Sequence, residues 1–258
     1  MPSKMYSFLR RPAWIALHLI VLAITIAFVS LGRWQLSRLE DRRVENVQVA
    51  ERLAGAPTDW PVDTGGTPTE YSRIRLTGIL EPAEEVLLRS QVSMGQPGYD
   101  LLTPLYLENG SVVVVNRGWV PLELDAPPIM QALPPEGPVS IEGFVRYPLA
   151  GSDSEVPGAD EEPLVIDSRV DLDRLDRQIQ GEVEPFYVEL TSIEPPAGSL
   201  PIPSDVPEIT EGSHFSYAVQ WFSFAAVSIV GYAALIRSTA RRRGGLRRRA
   251  APGRPDSS

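Results

Sequence analysis

The sequence predicts a membrane protein with two transmembrane helices. They flank an extracytoplasmic, mainly antiparallel β sandwich or barrel-like domain that carries one or two helices. Three observations predict it. Two uncharged apolar runs lie near the ends of the 258-residue chain, Ala13 to Leu31 and Tyr217 to Ile236. A series of short strand-like segments lies between them. The charge is also partitioned: residues 1–12 carry +3, residues 33–216 carry −19 and residues 237–258 carry +7.

The apolar runs are 19 and 20 residues long. At about 1.5 Å rise per residue, each reaches across a hydrocarbon core of about 30 Å. The first could instead be a cleaved signal peptide, with Lys4, Arg10 and Arg11 as its basic region. Its apolar stretch exceeds the usual span of about 7 to 15 residues, and Ser30-Leu31-Gly32 is a poor cleavage site. The alternative for the second run is a buried core helix. Its length and the arginines at 237, 241, 242, 243, 247, 248, 249 and 254 favour a span. Basic residues beside spans stay cytoplasmic, which places both termini inside and the acidic middle outside. Arg33, Arg38, Arg42 and Arg43 weaken this rule locally. The arginine-rich tail reads as a topology anchor, with contact to anionic lipid or nucleic acid as the alternative; the chain's expected partners include the lipid bilayer and no nucleic acid.

Residues 33–53 lack Pro and Gly, and apolar or aromatic residues recur at 34, 36, 39, 44, 47, 50 and 53. This spacing predicts that the first span continues as an amphipathic helix. A turn-rich linker follows, Gly55 to Glu70. Strands are expected at Tyr71–Leu80, Glu85–Val92, Tyr99–Leu107, Ser111–Val120 and Val139–Tyr147, with a tight turn at Glu108-Asn109-Gly110. Residues 150–163 read as an acidic loop, Asp171–Gln180 as a short helix and Pro185–Thr191 as a last strand. Five prolines between 194 and 209 predict an extended return connector. The expected division is thus 1–12 cytoplasmic, 13–31 first span, 32–54 helical extension, 55–213 outer β-rich domain with its connector, 214–236 second span and 237–258 cytoplasmic tail.

Signatures of catalysis are absent. The chain has no P-loop, GxGxxG, HExxH or G-x-S-x-G, and no cysteine. Its two histidines, His18 and His214, both lie at the membrane segments, so no Ser-His-Asp triad can form in the outer domain. Asp171, Asp173 and Asp176 read as a solvated helix face. His18 inside a span is a functional candidate, with a helix–helix hydrogen bond as the structural alternative. His214 opens the second span. Two readings of it stand side by side: an interfacial cap beside Tyr217 and Trp221, or an iron ligand. The length of the first span separates the histidines too far for one iron. Arginine outnumbers lysine 23 to 1, which suggests a GC-rich bacterial source.

Four stretches carry a resemblance. They are Gly32-Arg33-Trp34-Gln35-Leu36-Ser37-Arg38, Val115-Asn116-Arg117-Gly118-Trp119-Val120-Pro121, Gly143-Phe144-Val145-Arg146, and His214-Phe215-Ser216-Tyr217-Ala218-Val219-Gln220-Trp221-Phe222. In order and spacing the chain resembles the surfeit-locus-1 family of cytochrome c oxidase assembly proteins. The resemblance implies a bacterial cytoplasmic-membrane assembly factor, not an enzyme, that binds or presents haem a to the oxidase catalytic subunit. It implies His214 as the iron contact; on that reading Trp221 and Phe222 are expected to pack on the porphyrin, and Trp34 and Arg33 to meet it from the first helix. The implied partners are the oxidase, a respiratory supercomplex containing it, and the haem a synthesis machinery. Gly118 is expected to serve an unusual backbone or a close approach, and Arg117 to pair with an acid or a haem propionate. The chain departs from the family between 150 and 200 and in its arginine-rich tail. The alternative function is a structural accessory docked on the oxidase or supercomplex without haem.

Overall fold

The computed structural model describes residues 6–61, 66–148, 165–167, 169–207 and 209–249. The chain divides into two compact units, one from Met1–Val47 with Thr210–Ser258 and the other Gln48–Ile209.

The first unit is built on two long helices, α1 (Pro12–Ala54, whose last residues pass into the second unit) and α3 (His214–Arg249). Both are long and apolar enough to cross a membrane. Their apolar side chains are bare: Leu19, Ile20, Leu22 and Ile26 on α1, and Val227, Ile229 and Val230 on α3, are all more than half exposed. A core helix of a soluble protein would bury them, so the core-helix alternative for the second run does not hold. Such surfaces suit lipid. α1 runs unbroken across the expected 13–31 and 32–54 segments because no Pro or Gly pair interrupts its hydrogen-bond ladder.

Among the described residues the second unit holds β1 (Thr58–Asp59), β2 (Arg73–Leu80), β3 (Val86–Ser93), β4 (Gln96–Leu107), β5 (Ser111–Pro121), β6 (Pro138–Arg146), β7 (Ile166–Asp167) and β8 (Glu182–Glu194), with one α-helix, α2 (Leu172–Gln178), and two short 3-10 turns. The strand order is β1-β2-β6-β8-β5-β4-β3-β7, and β2 also pairs with β4. That pairing, Gly78 to Leu80 against Leu105 to Leu107, closes a five-stranded ring β2-β6-β8-β5-β4. Closure removes unpaired edges from the ring.

The sheet is mixed rather than simply antiparallel. β8 runs parallel to β5, and the two-residue strands β1 and β7 run parallel to β2 and β3. The β5–β8 pairing has a geometric cause. A ring with an odd number of strands cannot alternate direction all the way round, so at least one neighbouring pair must be parallel. Periodicity within single segments does not reveal ring size.

The ring interior is one apolar core fed by all five strands. It includes Leu76 of β2, Leu105 of β4, Val113 and Val115 of β5, Ile141 of β6, and Phe186 and Val188 of β8. The alternate residues Val112 and Val114 face outward beneath Leu172, Leu175 and Ile179 of α2. β5 is therefore covered on both faces, which explains its unbroken run of valines. The expected turn at 108–110 is present: Gly110 takes φ +89° and Asn109 Oδ1 accepts from the Ser111 amide at 3.1 Å. The short helix is trimmed to Leu172–Gln178 because Asp171 caps it, its carboxylate accepting from the Arg174 amide at 2.9 Å. β8 is longer than expected, bounded by Gly181 at φ +136° and by Pro195. The acidic loop at 150–163 and the tail beyond 249 lie outside the described residues.

Candidate functional site

In the first unit α1 and α3 approach closely at Gly32. A side chain there would collide with the Phe222 ring, and Ala218 and Ala225 are buried on α3 at seven-residue spacing. Small residues allow such contact. One α-helical turn beyond Gly32, Gln35 Oε1 lies 2.9 Å from His214 Nδ1, and both side chains are half-buried. This is the only hydrogen bond of the His214 ring among the described residues. Trp221 stacks on Phe28 with centroids 5.7 Å apart and meets Phe224 edge-on at 5.9 Å. Phe222 leaves about a third of its surface open, and Trp34 is half exposed with the Arg38 guanidinium 5.9 Å from its ring.

Of the residues expected from sequence, the structure thus brings Phe222 against α1 at Gly32, and ties His214 to α1 through Gln35. Arg33 and Trp34 make no described contact with His214, Trp221 or Phe222, and Trp34 engages Arg38 instead. Gln35 stands in the quoted Gly32–Arg38 stretch but drew no role. Its signal was a polar side chain one turn past a glycine at the end of an apolar run. A bidentate pair, Arg43 Nε and Nη2 to the Glu211 carboxylate at 2.7 and 3.1 Å, and Asn46 Nδ2 to Thr210 O at 3.1 Å, hold the segment that leads into α3.

His18 lies elsewhere on α1. Its Nε2 reaches Leu9 O at 3.3 Å and its Nδ1 bonds the Tyr232 hydroxyl of α3. Both ring nitrogens are used, which is the helix–helix hydrogen bond weighed as its structural role. The 17 residues between His18 and Gln35 span about 25 Å of helix, so the two histidines serve separate places.

In the second unit, Asn116, Arg117, Gly118 and Trp119 of the Val115–Pro121 stretch are each engaged by other parts of the fold. Arg117 is buried and paired: Nη1 donates to Glu85 Oε1 at 2.8 Å and Nη2 to Ala132 O at 2.5 Å. Glu85 also accepts from Thr103 Oγ1 at 3.1 Å and from the Ile129 amide at 3.2 Å. With side chains 1% and 0% exposed, this pair leaves Arg117 no route to a propionate; of the two expected partners the acid is the real one. Burial pushes the Glu85 carboxyl up against the opposing pull of Arg117. Gly118 takes φ +118°, and a side chain there would strike the Ile202 carbonyl. Both expectations for Gly118 hold together, because the return connector crosses β5 there. Trp119 and Ile202 exchange hydrogen bonds of 2.7 and 2.9 Å.

Beside this crossing lies an acid pair that sequence reading missed. Asn116 Nδ2 donates to Asp100 Oδ2 at 3.0 Å, while its Oδ1 accepts from the Gly118 amide at 3.0 Å. Glu189, opposite Asn116 on β8, has its carboxyl pushed up to about 7, first by burial and then by the Asp100 charge. Glu189 Oε2 is buried with no hydrogen-bond partner among the described residues. Among the described residues no cluster of three or more acidic or histidine side chains could hold a metal ion.

The sequence profile of the SURF1 family matches residues 22–226. An uncharacterized SURF1-like protein of Mycobacterium tuberculosis is 30% identical over 252 residues, covering 92% of this chain and 89% of its own. A SURF1-like protein of Monosiga brevicollis is 26% identical over 250 residues, covering 90% of each. One from Rickettsia bellii is 28% identical, covering 87% of this chain and 92% of its own.

Proposed function

This chain belongs to the SURF1 family, and from that premise we propose that it is a membrane-anchored factor that binds or presents haem a to the catalytic subunit of cytochrome c oxidase through His214. The family is associated with oxidase assembly, and its members are assembly factors rather than catalysts. The supporting observation is His214 itself, hydrogen-bonded at Nδ1 to Gln35 and, among the described residues, with no hydrogen bond at Nε2. The reading calls on aromatic side chains of both helices to meet the porphyrin. One imidazole donor opens α3, the helix that also carries Phe222, and Trp34 precedes its partner Gln35 on α1. Bound there, haem a would supply an iron that takes a nitrogen ligand. The chain's own work is to hold the imidazole, to cover the ring with Trp221 and Phe222, and to keep Arg33 and Trp34 at the same level of α1.

The charge partition supports a multi-pass arrangement in a bacterial cytoplasmic membrane, with both termini inside and the β domain outside. Haem a synthesis enzymes on one side of the transfer, and the oxidase or a supercomplex containing it on the other, complete the proposed partners. A deletion strain complemented with wild type or His214→Ala tests the reading. Wild type restores the haem a signal of the oxidase in membranes. His214→Ala restores it poorly while still co-purifying with oxidase subunits. Full restoration by His214→Ala would leave the chain as a structural accessory that docks without haem.

A further inference from the structure

We propose that Gln35 is a positioning residue: its carboxamide oxygen keeps the proton of the neutral His214 ring on Nδ1 and leaves Nε2 as the free donor atom. This rests on the reading of His214 as the ligand. With the carboxamide oxygen turned toward the ring, the 2.9 Å contact pairs that acceptor with Nδ1–H. The free histidine side chain in water prefers its proton on Nε2, the nitrogen with no hydrogen bond here among the described residues. Gln35 therefore reverses the intrinsic preference and readies the ring before any ligand arrives. The backing is firm because α1 and α3 touch at Gly32 and Phe222, one turn from Gln35. A hydrogen bond behind a ligating imidazole also raises its basicity and fixes the ring plane. Histidine at the start of a helix does not need such a partner for capping.

The test begins without haem. In the detergent-purified full chain with 15N-labelled histidine, His214 is assigned by its loss in His214→Ala, and the two ring nitrogens are classified at pH 8. The expected wild-type spectrum has a protonated Nδ1 and a bare Nε2. Gln35→Glu keeps that pattern, and Gln35→Leu moves the proton to Nε2. In protein loaded with haem, Gln35→Leu binds about 10- to 100-fold more weakly. Gln35→Glu restores binding and lowers the midpoint potential of the iron. A wild-type ring protonated on Nε2 would overturn the proposal. So would a Gln35→Leu protein that binds as wild type while His214→Ala loses haem. If His214→Ala itself binds as wild type, the reading of His214 as ligand falls instead.

Discussion

Replacing Arg117 by Met should cost the protein about 3–5 kcal/mol. The structure sets that size. Met fills the space of the Arg stem but removes the guanidinium from Glu85 and from Ala132 O. Glu85 keeps its bonds from Thr103 and the Ile129 amide, yet its charge then sits uncompensated in the core beneath Ile129 and Ala132. For a chain of this size about 1 kcal/mol shifts the melting temperature by roughly 2–4 °C, so the variant should melt roughly 10–15 °C lower at pH 8. The loss depends on pH. Without Arg117 the folded-state pKa of Glu85 rises further above its unfolded value, so the carboxyl contributes its stability below the unfolded value and loses it as pH rises through the folded one. The deficit is therefore smaller at pH 5 than at pH 8. Arg117→Met combined with Glu85→Gln should recover much of the loss, because the buried charge is gone. Tryptophan fluorescence melts in detergent read all three proteins. An Arg117→Met protein that melts within about 3 °C of wild type at pH 8 would refute the reasoning.

Gly118→Ala should destabilise by about 3 kcal/mol or more. The positive φ contributes strain of about 1–3 kcal/mol, and moving the connector off β5 loses two hydrogen bonds of about 1 kcal/mol each. Denaturant melts and protease cleavage between 195 and 209 check it, and a variant as resistant as wild type would contradict the crossing. Glu189→Gln should flatten the pH dependence of stability. The folded-state value near 7 lies above the ordinary 4.5, so wild-type stability falls as pH rises between them. The effect is at most about 3 kcal/mol, reduced by solvent because Glu189 is half-buried. Melts at pH 5 and pH 8 that give the variant and wild type the same slope would count against it.

The strands were legible where one element carries its own signal. Alternation gave β2, the valine run gave β5, and Glu108-Asn109-Gly110 gave the turn between β4 and β5. Ring closure was not legible, since the pairing of Gly78–Leu80 with Leu105–Leu107 depends on twist and on partners far apart in sequence. Nor were β1 and β7, which are two residues each and exist through the neighbours they pair with. At the site, His214 was legible as an ionisable group at the edge of an apolar run. Its link to Gln35 was not, because 179 residues separate them and only the helix contact at Gly32 aligns them. Arg117 was legible as a residue needing an anion. That the anion is Glu85 follows from the packing of β3 against β4 and β5, which no local pattern displays.

The central claim meets its most direct test in haem extracted from the detergent-purified chain, wild type beside His214→Ala, each co-expressed with the haem a synthesis enzymes. The account predicts haem a in wild type, and its loss or a shifted visible spectrum in His214→Ala. Absence of haem from both proteins, with oxidase subunits still co-purifying, would contradict it.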